Sequence, residues 1–156
     1  MHTAFAIILG AGCGLALLVA ACTDLRSRTI PNGLTAGLAL AAPLWWWANG
    51  LALWPDIAGQ ILFAVLVFAL FTGAFALRAM GGGDVKLIGA LALWLPWEPA
   101  IRMLFLMSVL GGVLTVAMVI HARVRKSSGA IEVPYGLAIS CAGLWAIGER
   151  YLYHFG

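Results

Sequence analysis

Apolar residues run along the chain in six stretches, each closed by a short polar, glycine-rich or proline-containing break. The first spans Ala4 to Cys22 and ends on Thr23-Asp24-Leu25-Arg26-Ser27-Arg28. The second runs from Gly33 to Trp47 or Ala48, and the third from Ile57 to Leu77. A shorter fourth stretch, Val85 to Trp97, follows Gly81-Gly82-Gly83-Asp84. The fifth covers Ala100 to Ile120, with Arg102 near its start, and the sixth covers Val133 to Tyr153. Pro31, Pro55, Pro99 and Pro134 fall at or near the boundaries, where a missing N–H does least harm. A helix needs about 20 apolar residues to cross a bilayer. The pattern therefore predicts an all-α polytopic membrane protein of about six transmembrane helices, with residues 1–156 forming one membrane-embedded domain.

Composition supports lipid as the solvent. Hydrophobic residues make up 63% of the chain and charged ones 10%, with a mean hydropathy of +1.02. Soluble domains carry about 25% charged residues. The net charge of +3 does not imply a nucleic-acid partner, because the basic residues lie in gaps between apolar runs, as topology signals do. Arg26, Arg28, Arg78, Lys86, Arg123, Arg125 and Lys126 flank one side, and only Arg102 and Arg150 the other. That bias places the first, third and fifth loops in the cytoplasm and both termini outside. Trp45, Trp46, Trp47, Trp54, Trp94, Trp97, Tyr151 and Tyr153 all map to the outer side, as an interfacial belt would.

Cys13, Cys22 and Cys141 lie within or at the ends of apolar runs, with no C-x-x-C spacing and no paired His. They read as buried apolar thiols rather than as a disulfide or zinc framework. Val19-Ala20-Ala21-Cys22 has the form of a lipoprotein signal box, but Met1-His2-Thr3 lacks the positive n-region that a secretory signal requires.

Ionisable groups at membrane spans are costly and are functional candidates by default. Asp56, Glu98 and Glu149 fall on the outer side, and Glu132 in the last cytoplasmic loop, where they read as solvated charges. Asp24 and Asp84 differ. Each ends or begins an apolar run, and the topology puts both on the cytoplasmic face, two spans apart in sequence. Paired carboxylates suit peptide hydrolysis: two close acids cannot both ionise cheaply, so one retains a proton while the other stays charged. The charged one takes a proton from water, and the neutral one donates to the scissile carbonyl. No metal, thiol or serine is required, and His2, His121 and His154 are scattered. Taken singly, each Asp also fits a helix cap or a surface anchor. A pair of intramembrane acids equally suits a proton relay in a small transporter or assembly factor, though the interrupted repeats expected of a transporter are not found.

The surrounding residues separate these readings. Gly81-Gly82-Gly83-Asp84-Val85-Lys86-Leu87 contains the G-x-G-D pattern of intramembrane aspartic peptidases and resembles its prepilin peptidase form, G-x-G-D-x-K-L. Asp24-Leu25-Arg26-Ser27-Arg28-Thr29-Ile30-Pro31-Asn32 resembles the first catalytic segment of that family, and Val133-Pro134-Tyr135-Gly136-Leu137-Ala138 its third signature. Leu137 stands where many relatives have a second proline. The resemblance implies Asp24 and Asp84 as the catalytic dyad, no cofactor, and a prepilin or pseudopilin substrate with a basic leader and a hydrophobic helix. It also implies an inner-membrane location, cleavage after a Gly on the cytoplasmic side, and lipid as the remaining partner. Larger members carry a cysteine-paired cytoplasmic insertion associated with N-methylation. Its absence here resembles the short peptidase-only type of tight-adherence (Flp) pili. Gly81, Gly82 and Gly83 remove side chains beside Asp84 and allow a substrate backbone to approach. Lys86 is either a ligand for a substrate carboxylate or for Asp84, or a positive-inside anchor. Pro134, Tyr135 and Gly136 either shape the substrate channel or simply start the last helix.

Overall fold

A short, almost wholly buried helix organises the molecule. In the computed structural model, which describes residues 2–125 and 133–155, this helix is α4 (Gly82–Trp94). Around it stand α1 (His2–Ser27), α2 (Asn32–Ala48), α3 (Ala58–Ala76), α5 (Trp97–Val124) and α6 (Tyr135–Phe155), with a tight turn at Leu53–Ile57 leading into α3. No strand occurs among the described residues. Helix α4 packs on α2, α3 and α6 and touches α5, while α1 bridges α2 and α6, and α5 leans on α6. The core is aliphatic and small: Leu17, Leu87, Ile88, Leu91 and Ile139 are fully buried, with Ala20, Ala42 and Ala142 letting helices approach. Large apolar side chains such as Leu40, Leu70, Phe105 and Val113 point outward, as they must where the surroundings are hydrocarbon. Helix α1, α3 with its leading turn, and α5 are each long and apolar enough to cross a membrane. The chain is an all-α integral membrane protein.

Helix ends depart from the expected spans in an instructive way. Helix α1 continues past Cys22 to Ser27, so Asp24 sits inside its last turn rather than in a loop. Helix α5 begins at Trp97 and reaches Val124, with Pro99 inside its first turn, where a missing N–H costs nothing. Helix α4 begins at Gly82, three residues before the expected Val85, and stops at Trp94. Glycine disfavours helix interiors, but the first helical positions have no intrahelical donor bond to lose. Here they gain contact instead: a methyl on Gly82 would meet the Phe75 ring at 3.3 Å, and one on Gly83 would meet Ile30 at 3.3 Å.

The other end of α4 is buried, and its free carbonyls have no water to turn to. Side chains of other helices supply the donors. Trp45 Nε1 donates to the Trp94 carbonyl at 2.9 Å, and Trp46 Nε1 to that of Leu93 at 2.7 Å. The Gln60 carboxamide donates to Ala92, Leu93 and Leu95 at 3.2, 3.2 and 2.6 Å. Trp94 Nε1 returns a bond to the Leu38 carbonyl at 2.8 Å. The tryptophans thus divide: Trp45, Trp46 and Trp94 are buried donors, whereas Trp47, Trp54 and Trp97 are exposed at the same end of the bundle. Tyr151 and Tyr153 have side chains outside the described set. Gln60→Leu keeps the volume but strands those carbonyls. It is expected to destabilise the fold by about 1–3 kcal/mol, read as a lowered melting temperature in detergent, whereas Ile61→Leu on the exposed face should leave melting unchanged.

Other charges described at that end have partners. Arg102 pairs with Glu98 and lies 3.3 Å from Glu149, and Asp56 Oδ2 accepts the Ala52 N–H at 3.1 Å. Glu132 lies outside the described residues. Cys13 is buried, but Cys22 and Cys141 are exposed, because a lipid-facing surface is as apolar as the core and the sequence pattern cannot separate the two.

Candidate active site

Asp24 and Asp84 line one cavity of about 790 Å³ at the end of the bundle opposite Arg102. Four helix termini build it: the last turns of α1 and α3 and the first turns of α4 and α6. The two carboxylates share the lining of this one cavity. Sixty residues separate them in sequence, and the antiparallel course of the helices brings them together.

Asp24 is buried, at 6% exposure. Its backbone carbonyl accepts the Arg28 N–H at 3.0 Å, closing α1 with Arg28 in the left-handed region at φ 54°. Above its carboxyl sits the first turn of α6. Gly136 is so close that a Cβ there would lie 2.8 Å from Asp24 Cγ and Oδ2. The N–H groups of Gly136 and Leu137 face the carboxyl, as a helix N-terminus faces an anion. None of them closes a hydrogen bond on Oδ2, which is buried and unpartnered among the described residues.

Asp84 is half-buried in the first turn of α4, whose N-cap is Gly81. The carboxylate turns back over the Gly81 N–H, in the manner of the third-residue acid of a capping box. A Cβ on Gly81 would stand 3.0 Å from Asp84 Oδ2. The glycine therefore lets the carboxylate fold over the helix start while keeping an open face on the cavity.

Of the nine residues singled out from sequence, Asp24, Gly81, Asp84 and Tyr135 line the cavity, and Gly136 backs Asp24. Gly82 and Gly83 serve packing, against Phe75 and Ile30. Pro134 is buried just before α6. Lys86 points elsewhere: its Nζ donates to Asn32 Oδ1 at 2.8 Å, and it lines a separate apolar groove between α2 and α3. Tyr135 is held from α5, with its ring over Gly111, where a Cβ would be 2.8 Å from Cε1, and its hydroxyl 3.3 Å from Thr115 Oγ1.

Sequence reasoning missed Arg78, Phe75 and Met80, which wall the cavity from the α3 side. Arg78 takes the position after α3 that glycine commonly holds: its φ is 58°, its N–H bonds to Phe75 O at 2.9 Å, and the Ala79 N–H bonds to Ala74 O at 2.9 Å. Two arginines in this conformation, each costing roughly 1–3 kcal/mol, thus end two helices at one cavity. Nothing in the residue types signals it. Among the described residues no three His, Cys, Asp or Glu side chains cluster as a metal site would.

Residues 6–116 match the model of the type IV leader peptidase family. The chain is similar to a prepilin leader peptidase/N-methyltransferase of Stutzerimonas stutzeri, 34% identical over 98 residues, covering 62% of this chain and 32% of that protein. The similarly named protein of Aeromonas hydrophila is 29% identical over 145 residues, 85% of this chain and 48% of the relative. That of Burkholderia pseudomallei (strain 1026b) is 26% identical over 138 residues, 82% and 42%. The chain spans about a third to a half of the length of these relatives. No solved structure matches it significantly. The aspartate-lined cavity and the match over residues 6–116 lead to one conclusion: the chain belongs to the type IV leader peptidase family.

Proposed function

We propose that this protein is an intramembrane aspartic endopeptidase that removes the basic leader of prepilin-like proteins at the cytoplasmic face of the inner membrane. The observation that carries the reading is the convergence of Asp24 and Asp84 on one open cavity. One carboxyl, ionised, takes a proton from water. The other, neutral, donates a hydrogen bond to the scissile carbonyl. The water oxygen then adds to that carbonyl carbon, and the proton passes to the departing amine as the C–N bond breaks. The amides at the start of α6 and the N-terminus of α4 add positive potential where negative charge accumulates. Gly81 leaves room for an extended peptide beside Asp84.

Depth suits such a substrate. As a helix of 13 residues, α4 spans roughly 20 Å against a hydrocarbon core of about 30 Å. With Trp97 near the outer interface, Asp84 lies below the inner one, in a notch lined by protein and water. A membrane-held helix can bring its leader junction there without leaving the bilayer.

Orientation is tested with single cysteines in a background lacking Cys13, Cys22 and Cys141. One at Ser27, in the last turn of α1, is expected to resist an impermeant thiol reagent in intact cells. One at Asn49, after α2, should react. The reverse pattern would put the cavity on the wrong side for cytoplasmic leaders. Activity itself is tested by incubating the purified protein with a prepilin in lipid nanodiscs, where release of the leader is expected.

A further inference from the structure

Ser140 is fully buried in α6, and its hydroxyl has no hydrogen-bond partner among the described residues. A buried unpaired hydroxyl in an apolar bundle is costly and calls for a reason. The only other buried side-chain oxygen in that condition among the described residues is Asp24 Oδ2.

The two belong to one interface. Helices α1 and α6 run antiparallel, since Gly136 meets Asp24, Gly143 meets Leu17, and Gly14 meets Leu144. Ser140 stands between Gly136 and Gly143 at i+4 and i−3, so it shares their face toward α1, one turn inward from Asp24. Side chains on a helix tilt toward its N-terminus. On α6 that tilt carries the Ser140 hydroxyl toward Gly136, and on α1 it carries the Asp24 carboxyl inward. The two side chains therefore leave their helices in converging directions.

We propose that Ser140 is a positioning residue for Asp24, its hydroxyl linked to Asp24 Oδ2 through one buried water. A buried water needs two or more polar partners, and these two oxygens provide them. The link would fix the carboxyl rotamer from beneath, while Gly136 fixes it from above and the other oxygen faces the cavity. The inference rests on the dyad reading given above and adds a residue to it.

The test uses the full chain in nanodiscs. Ser140→Ala is expected to lower kcat for prepilin cleavage about tenfold, the worth of one hydrogen bond to a charged group. KM should stay within about twofold, since the bound substrate loses no contact. The melting temperature should hold within a few degrees, because water takes the volume of the lost hydroxyl and still bonds Asp24 Oδ2. Cys141→Ser, exposed on the same helix, should change nothing. Parental kcat in Ser140→Ala, or a loss of kcat matched by a fall in melting temperature, would overturn the proposal. A structure of the parent protein at a resolution that places water tests it without any substrate. A water within hydrogen-bonding distance of both oxygens supports the link. Its absence, with Ser140 bonded to the Gly136 carbonyl instead, refutes it even if the peptidase reading stands. If the parent protein cleaves no prepilin, the dyad reading fails separately and the water still decides this one.

Discussion

Asp24→Asn and Asp84→Asn are each expected to lower leader cleavage by about 10²–10⁴-fold, the range that proton transfer by a positioned side chain supplies. Asparagine keeps the shape and still hydrogen-bonds, but it cannot carry the proton that the cycle needs. Neither change should unfold the protein. Asp84 folds over Gly81, where a carboxamide oxygen can accept the same N–H. Asp24 is buried, where a neutral carboxamide of the same shape is no harder to hold than a charge. An immunoblot for precursor and mature pilin, with membrane levels of each variant matched, reads the effect. Asp56→Asn is the control, because Asp56 only caps the Ala52 N–H at the far end of the bundle. Near-parental processing by either cavity variant would remove that residue from the dyad.

The second large effect is expected at Gly136, where alanine adds a single carbon. That carbon would sit 2.8 Å from Asp24 Cγ and Oδ2 and 3.0 Å from Cβ, so either the carboxyl or the start of α6 must move. Overpacking of this kind costs about 1–3 kcal/mol. A displacement of about 1 Å at a reacting group costs on the order of 10²-fold in rate. Gly136→Ala should therefore reduce cleavage far more than stability alone explains. Two other glycines calibrate the comparison. Gly112 has open space around its added carbon, and Gly143→Ala would press at 3.0 Å on the end of Leu17, a flexible side chain away from the cavity. Gly112→Ala should be silent, and Gly143→Ala should lower melting with a smaller effect on cleavage. Equal losses at 136 and 143 would reduce Gly136 to a packing residue.

The residues carrying most of this site were legible in the sequence for a physical reason. Charge in an apolar chain is conspicuous, so Asp24 and Asp84 stand out, and the glycines before Asp84 mark a backbone left bare. Helix ends were less legible. Hydropathy stops at Cys22, but hydrogen bonding continues to Ser27, because a helix does not need apolar residues for its last turn. For the same reason hydropathy starts the fourth stretch at Val85, whereas α4 starts at Gly82, with Gly82 and Gly83 packed on Phe75 and Ile30. Lys86 lies two residues from Asp84, yet it faces a different groove, since residues two apart on a helix point in different directions. The grip of Gly111 and Thr115 on Tyr135 had no signal, being a contact between helices that only the fold brings together. The left-handed Arg28 and Arg78 occupy a conformation usually betrayed by glycine, and an arginine carries no such signal.

The most direct measurement is mass spectrometry of the products when the purified chain, alone in nanodiscs, is given a prepilin with an intact leader. The expected result is one new pair of peptides, from a cut after the Gly that joins the basic leader to the hydrophobic helix, absent in Asp24→Asn and in Asp84→Asn. An intact prepilin after incubation with folded parental protein, or the same peptides from both variants, would contradict it.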